Sequence, residues 1–300
     1  MRMDNATTTV ALAASPRGLA VRGLKSVIAF AWRKPLGGVG ALLVIAALAT
    51  ALLAPLIAPH DPTDIMPGQL FVSPRAAFPA GTDNLGRDQI SRIIWGARVS
   101  LYVGIASVVL GTTVGALLGL VSAYVGGGFD TLLQRLVDAL MAFPTLILAL
   151  IIASTLGASV NNVVLAIAVV LLPQASRVVR SVALSVKEAQ YVDSARAVGA
   201  SHIRVLFLHI LPQCAAPYLI IATAGIGFAI VVEASISFLG AGPPPPTPTW
   251  GNMLSGAARQ FAERAPWMVI YPGLAISLTV FGFNLLGDSL RDVLDPRLRK

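Results

Sequence analysis

The stretch EAQYVDSARAVGASHIRVLFLHILP, residues 188–212, is a polar segment between two apolar segments that are each long enough to cross a lipid bilayer. Gly199 lies near its middle, and the next proline is Pro212. Glycine readily adopts the left-handed conformation that ends a helix, and Ser201 is a good N-cap for a following one. The pattern therefore predicts a hairpin of two short helices, at about residues 186–198 and 201–209.

The length of this hairpin points to a function. A connection with helices of its own is longer than most links between neighbouring helices of a bundle. Two short helices that meet at an angle form a compact projection, and such a projection can dock into a groove on a soluble protein. We therefore expect residues 188–212 to be a docking surface.

The composition places the chain in the membrane. Of its 300 residues 56% are hydrophobic and 12% are charged, and the mean hydropathy is +0.78. Soluble proteins carry about 25% charged residues. Spanning segments must satisfy their own backbone groups, and several windows reach the length of a spanning helix, so an all-α fold is expected. The single cysteine, Cys214, excludes an intrachain disulfide and a CxxC site.

Six transmembrane helices are predicted, with both termini in the cytoplasm. In chain order we expect a cytoplasmic N-terminal tail (1–35), a first span (36–58), an extracytoplasmic loop with an interfacial helix (59–98), a core with five spans (99–290) and a cytoplasmic C-terminal tail (291–300). The core contains the cytoplasmic hairpin, 185–212, and an extracytoplasmic loop, 241–266.

The basic residues support this orientation. Sixteen of the 22 Lys and Arg residues fall in segments that this topology places in the cytoplasm, where positive charge accumulates. The net charge of +8 is therefore interpreted as an orientation signal, and no nucleic-acid partner is expected.

Three local patterns refine the spans. Gly111, Gly115 and Gly119 repeat every four residues, which allows a second helix to approach closely. Phe143-Pro144 predicts a kink in the third span, and a helix at about 85–97 is expected to lie on the outer membrane surface. Asp138 is expected to pair with Arg135, three residues earlier.

The chain shows no means of driving transport by itself. It contains no Gly-Lys dipeptide, so it has no Walker A loop, and it has neither an HExxH nor a GxSxG motif. His202 and His209 are too few for a metal site. We expect no catalytic residue, no metal site and no bound cofactor, so the energy for uphill transport must come from an ion gradient or from another polypeptide.

The hairpin resembles the EAA loop of ABC importer permeases, with its pattern E-A-A, three residues, Gly, nine residues, Ile, any residue, Leu-Pro. Asp193 stands at the Glu position, Ser194 and Ala195 stand at the two Ala positions, Gly199 matches, His209 replaces Ile, and Leu211-Pro212 match.

Other stretches resemble the dipeptide/oligopeptide/nickel permease family, and specifically its "C"-type subunit with an extra N-terminal span. They are GTDNLGRDQISRIIWGARVSL (81–101), RLVDALMAFPTLILAL (135–150), EASISFLGAGPPPPTPTWGNML (233–254) and FNLLGDSLRDVLDPR (283–297). Together with the hairpin they extend the resemblance over about residues 30–300.

The resemblance implies a type I importer in the bacterial cytoplasmic (inner) membrane. Its partners would be a second, different permease subunit, two ATPase subunits that use ATP and Mg, and an extracytoplasmic solute-binding protein. The expected cargo is a di- or oligopeptide, with a nickel chelate, glutathione or another small solute as the alternative.

The resemblance also implies roles for individual residues. The ATPase-coupling residues would be Glu188, Asp193, Ser194, Ala195, Arg196, Gly199, His209, Leu211 and Pro212.

Polar residues inside spans usually face a cavity or a partner helix, so they are candidates for the translocation pathway. The candidates are Glu233, Ser237 and Asn284 on the fifth and sixth spans, together with Met141 and Phe143 on the third span. A rival class, an ion-coupled secondary transporter, would require inverted repeats with paired interrupted helices, and the sequence shows no such pair. An intramembrane enzyme would require a catalytic constellation, which the sequence also lacks.

Overall fold

The computed structural model describes residues 34–294. Most of the two predicted cytoplasmic tails therefore lies outside the described residues. The helices are α1 (Pro35–Ile57), α2 (Gln89–Val125), α3 (Gly127–Met141), α4 (Thr145–Leu156), α5 (Val160–Lys187), α6 (Gln190–Ala197), α7 (His202–Arg204), α8 (Leu211–Phe238), α9 (Trp250–Leu254), α10 (Ala257–Gln260) and α11 (Trp267–Leu294). A 3-10 turn, Pro67–Gln69, and a π-helical turn, Val205–Ile210, complete the described elements.

The predicted all-α membrane fold is confirmed. Within residues 34–294, five helical segments are long and apolar enough to cross a membrane, and the number rises to six if the bent pair α3–α4 forms one span. The orientation of the termini stays a prediction.

The helices α2 and α5 form the centre of the bundle. A Cβ atom added to Gly111, Gly115 or Gly119 would overlap the backbone carbonyl oxygen of Ala168, Leu172 or Ser176, respectively. The predicted close approach is therefore real, and it joins α2 to α5. Both sets of contacts advance in the same chain direction, so α2 and α5 are parallel, and the α3–α4 pair must carry the chain back between them.

The predicted interfacial helix at 85–97 is wrong. One unbroken helix, α2, begins at Gln89 and ends at Val125. Asp88 is its N-cap and accepts a hydrogen bond from the Ser91 backbone N–H at 3.0 Å. The first turns of α2 are buried in protein, including Arg92 and Ile94. Ser91 and Arg92 on its polar face are buried, whereas Ile90 and Ile93 on its apolar face are half-buried, so the amphipathic pattern did not reflect a polar face in water.

The predicted kink in the third span is confirmed, and it is large. The helices α3 and α4 meet at 92° across a break before Thr145. Proline removes a backbone donor and disfavours helix in the preceding residue, so Pro144 ends α3.

The predicted Arg135–Asp138 pair is also wrong. The carboxylate of Asp138 binds Arg177 of α5 at 2.6 Å, and Asp130 binds Arg180 through two hydrogen bonds of 2.7 and 2.5 Å. The two aspartates are eight residues apart on α3, which is about 12 Å of helix rise. Their arginine partners are only three residues apart on α5, which is about 4.5 Å. Helix α3 therefore crosses α5 steeply. Asp138 pairs with a residue of α5 and not with a residue in the preceding turn of its own helix.

The first helix packs along the last one. A Cβ atom on Gly40 would lie 2.7 Å from the Leu286 backbone nitrogen and 2.9 Å from the Gly282 carbonyl oxygen. At the end of this contact, Lys34 and Asp292 form an ion pair of 2.7 Å. The extra N-terminal span is therefore fixed to α11.

Candidate functional site: the hairpin and the membrane interior

The turn of the hairpin follows the sequence prediction. Gly199 has φ +85°, and its N–H donates to the Arg196 carbonyl oxygen at 2.9 Å, while Ala200 donates to Ala195 at 3.0 Å. These bonds satisfy the last carbonyl groups of α6, as in a glycine-terminated helix. The hydroxyl of Ser201 accepts a hydrogen bond of 3.4 Å from the Arg204 backbone N–H. The roles predicted for Gly199 and Ser201 as helix-ending and capping residues are confirmed.

The second helix of the hairpin differs from the prediction. It does not end at Leu211-Pro212, because α7, the π-helical turn and α8 follow one another as a single helical segment from His202 to Phe238. Pro212 lies directly after the π-helical turn, inside this continuous segment, where it lacks the backbone N–H that a helix interior uses. The hairpin is therefore continuous with the span that follows it.

Apolar side chains anchor the hairpin to the bundle. Val192, Val205 and Ile210 are buried in one cluster with Leu120 of α2 and Val179 of α5. Each fully buried aliphatic side chain contributes about 1.5–3 kcal/mol relative to exposure. The base of the hairpin is therefore part of the core at the ends of α2 and α5.

Polar contacts reinforce this anchor. The ammonium group of Lys187 donates to the carbonyl oxygens of Ala123 and Tyr124, at 3.0 and 2.8 Å. A lysine in this position satisfies carbonyl groups that the end of α2 leaves unpaired. The Tyr124 hydroxyl is hydrogen bonded to His202 Nδ1 at 2.8 Å. Sequence reasoning missed these three residues as a group, although a lysine at a helix end was a usable signal.

The tip of the hairpin exposes apolar side chains. Val198 is 85% exposed and Ile203 is 72% exposed, on either side of the turn at Gly199. Asp193 and Arg196 form an exposed ion pair of 3.1 Å with each other, and exposed pairs contribute little to stability. An apolar tip on a buried base is the arrangement expected of a docking element.

The other predicted coupling residues divide into two groups. Glu188 follows α5, and Ser194 and Ala195 lie on the projecting helix α6. His209, Leu211 and Pro212 lie at the junction of the π-helical turn and α8, below the tip. Their roles in coupling stay predictions.

The structure separates the five pathway candidates into three places. Met141 and Phe143 are exposed at the bend between α3 and α4. Asn284 is exposed on α11, beside Gly227 of α8. Glu233 and Ser237 are buried together inside the bundle. A contribution of all five to the pathway stays a prediction.

Glu233 is the centre of a buried polar network. Its side chain is fully buried and accepts hydrogen bonds from Ser100 of α2 at 3.1 Å and from Ser237 at 2.8 Å. The Ser100 hydroxyl in turn accepts from the Trp250 backbone N–H at 3.2 Å. The network joins α8, α2 and α9, so Glu233 holds these elements together in this structure.

We predict that Glu233→Ala lowers the stability of the protein by about 2–4 kcal/mol, because it opens a cavity and leaves two buried hydroxyl donors unpaired. Glu233→Gln keeps the shape of the side chain and one acceptor oxygen, so it should lose much less stability. Thermal unfolding of the purified protein measures both effects, with Glu263→Ala at an exposed position as the control. Unchanged stability in Glu233→Ala would show that the network does not hold the helices.

Comparison with known proteins identifies relatives along most of the chain. The family model "Binding-protein-dependent transport system inner membrane component" matches residues 111–300. A dipeptide transport system permease protein of Haemophilus influenzae is 42% identical over 268 residues, 87% of this chain and 90% of that protein. A di/tripeptide transport system permease protein of Pseudomonas aeruginosa is 42% identical over 266 residues, 87% and 88% of the two chains. A glutathione transport system permease protein of Pectobacterium atrosepticum is 42% identical over 259 residues, 86% of each chain.

Proposed function

The chain belongs to the family of binding-protein-dependent transport system inner membrane components, and from this premise we propose that it forms half of the membrane pathway of an ATP-driven peptide importer. The chain is a multi-pass protein of the bacterial inner membrane and a transporter subunit. The observation that carries the proposal is the hairpin, which exposes an apolar tip on a base buried between α2 and α5.

Di- and oligopeptides are the proposed cargo. Two of the relatives are named for dipeptides or for di- and tripeptides, and a third is named for glutathione, which is itself a small peptide. Glutathione is therefore the alternative cargo that the comparisons favour.

Two ATPase subunits are the proposed partners of the hairpin. The chain has no Walker A loop of its own, so ATP and Mg would be bound and used by these partners. Val198 and Ile203 would fill an apolar groove on an ATPase subunit, while Asp193 and Arg196 would lie on the polar rim. This division of apolar centre and charged rim is typical of protein interfaces.

The hairpin would transmit movement to the bundle as a rigid element. Lys187 fastens its base to the end of α2, and the glycine contacts hold α2 against α5. When the ATPases close, the hairpin, α2 and α5 would therefore move together and change which side of the membrane has access to the pathway. Such a movement is a rigid-body rotation of packed elements.

We propose that the bend at Pro144 faces a second permease subunit and the translocation pathway. The side chains of residues 141–147 are all exposed, and no side chain caps the start of α4. Twelve residues make α4 about 18 Å long, which is shorter than the roughly 30 Å hydrocarbon core. Lipid cannot satisfy the backbone groups at this break, so it must face protein or water.

The rival class is an ion-coupled secondary transporter. Inverted repeats would give two corresponding interrupted spans. One bent pair, α3–α4, is found among residues 34–294, and no second pair corresponds to it there.

Reconstitution tests the proposed function. We predict that this chain alone in lipid vesicles shows no peptide uptake with ATP or with a proton or sodium gradient. Vesicles with both permease subunits, the ATPases and the peptide-loaded binding protein should take up peptide only with ATP. ATPase subunits that cannot hydrolyse ATP serve as the control, and the cargo is the ligand that the binding protein releases into the vesicle. Gradient-driven uptake by the lone chain would instead establish a secondary transporter.

A further inference from the structure

A cavity of about 460 Å³ opens at the end of the bundle opposite the hairpin. Its walls are the loop before α2 with the first turn of α2, the polyproline stretch 243–246, and the segment around α9 and α10. This cavity, with the GTDNLGRD stretch, 81–88, that contributes to it, lies apart from the hairpin.

Among the described residues one carboxylate lines the cavity, and the chain itself saturates it. Asp83 is buried, and its Oδ1 accepts hydrogen bonds from the backbone N–H groups of Leu85 and Arg87, both at 2.9 Å. Its Oδ2 accepts from Arg87 Nε at 2.7 Å and lies 3.8 Å from Arg92 Nε. Asp83 therefore has little remaining capacity to bind a second cation.

Two guanidinium groups line the same cavity. Arg92 is 6% exposed and donates from Nη1 to the Pro62 carbonyl oxygen at 3.1 Å. Arg87 uses its Nε for Asp83, and its two terminal nitrogens donate to no residue in the 34–294 range. Two positive charges thus face one negative charge, and the terminal nitrogens of Arg87 are available to an anion in the cavity. Arginine binds planar carboxylates through two parallel hydrogen bonds.

We propose that this cavity receives an aspartate or glutamate side chain of the solute-binding protein when that protein docks on the permease. The proposal rests on the proposed function, which supplies such a partner at this end of the bundle. A free peptide fits the chemistry less well, because its ammonium group would need a carboxylate and Asp83 is already saturated. The cavity therefore matches a carboxylate without an accompanying cation.

The cavity also touches the buried network around Glu233. Ser237 lines the cavity and donates to Glu233, which binds Ser100 of α2. Asn252, another lining residue, completes the capping box of α9 with Thr249. An occupant of the cavity would thus contact the elements that hold α2, α8 and α9 together.

The first test removes the Arg87 guanidinium, whose two terminal nitrogens have no partner within residues 34–294. The complete complex in neutral-lipid discs is titrated with peptide-loaded binding protein, and the concentration that gives half-maximal ATPase stimulation is measured. Arg87→Gln should raise this concentration roughly 10-fold or more, as loss of one member of a buried charge pair does, and should flatten its dependence on salt. Arg75→Gln removes an equal charge from the same end of the bundle, outside the cavity, and should change it less than about 2-fold.

The second test leaves every hydrogen bond of Asp83 in place. Leu85 lines the cavity, is 38% exposed and contributes only its backbone N–H to Asp83. Leu85→Glu brings a negative charge to the cavity and should weaken docking, whereas Leu85→Lys has a similar size and should not. This matched pair decides the question even if Arg87→Gln impairs folding.

The outcomes separate the two proposals. If the binding protein stimulates the wild-type complex and both tests leave the half-maximal concentration unchanged, the carboxylate site is wrong and the proposed function stands. If free peptide stimulates the complex without binding protein and Arg87→Gln weakens that effect, the site binds cargo and the partner assignment is wrong. If the wild-type complex shows no stimulation at all, both proposals are wrong.

Discussion

Replacing Gly199 with leucine is expected to release the ATPase subunits from the complex and to lower ATP-dependent uptake about five- to thirty-fold. Gly199 has φ +85° at the turn of the hairpin, and a residue with a side chain costs about 1–2 kcal/mol in that conformation. An energy of this size corresponds to the stated range. The turn would open to relieve the strain and would move Val198 and Ile203 away from their positions on the tip.

The control for this change is Gly157→Leu. Gly157 has φ +88°, and neither glycine has a neighbouring atom within 4 Å of an added Cβ. Both substitutions therefore place a side chain at positive φ in open space, but Gly157 lies in the α4–α5 turn, away from the hairpin. Co-purification of the ATPases and uptake of labelled peptide should fall only in Gly199→Leu. Retention of both properties would show that the hairpin does not dock.

A companion substitution tests the docking surface without backbone strain. Val198→Asp places a charge on the most exposed apolar side chain of the tip and breaks no contact of the buried base. It should reproduce the loss of ATPase binding. Ile65→Asp is the control, because it changes an exposed residue of the loop after α1. Leu56→Asp is unsuitable, because Leu56 lies on a span.

Replacing Gly115 with leucine is expected to destabilise the subunit by about 3 kcal/mol or more. A Cβ atom at this position would already overlap the Leu172 carbonyl oxygen, which belongs to the backbone of α5 and cannot move independently. The two helices would have to separate along the line that also includes Gly111 and Gly119. Overpacking of a well-packed interior costs about 1–3 kcal/mol, and a clash with backbone belongs at the upper end or beyond.

Gly273→Leu is the matched control for Gly115→Leu. Gly273 lies inside α11, and an added Cβ there meets no atom within 4 Å. Both substitutions raise helix propensity equally, so only the clash differs. Thermal unfolding in detergent and the yield of monodisperse protein should fall for Gly115→Leu and stay near wild type for Gly273→Leu. Equal behaviour of the two variants would contradict the close packing of α2 on α5.

The sequence was most informative where the structure depends on local properties. Length and hydropathy identify the spanning helices, because the bilayer fixes how many apolar residues a helix needs. Gly199 and Ser201 identified the turn of the hairpin, because helix ends are set by backbone conformation and by capping within a few residues. Pro144 identified the bend for the same reason, although not its angle of 92°.

Sequence reasoning failed where distant segments decide the outcome. The amphipathic pattern of 85–97 predicted a surface helix, but the polar face of this part of α2 is buried. Arg135 is the nearest basic residue to Asp138 along the chain, yet Arg177 of α5 is its partner in space. Ser100 of α2 donates to Glu233 from 133 positions away along the chain, and sequence reasoning did not connect the two residues.

The sequence alone therefore determined that this is an all-α membrane protein with a glycine-centred hairpin that resembles the coupling loop of importer permeases. Hydropathy and backbone preference act over a few residues, so a linear chain displays them directly. Only the tertiary structure placed Arg87 and Arg92 against a single saturated carboxylate and anchored the hairpin through Lys187 to the end of α2. Such pairings depend on which helices approach one another, and that geometry is set by packing over the entire bundle.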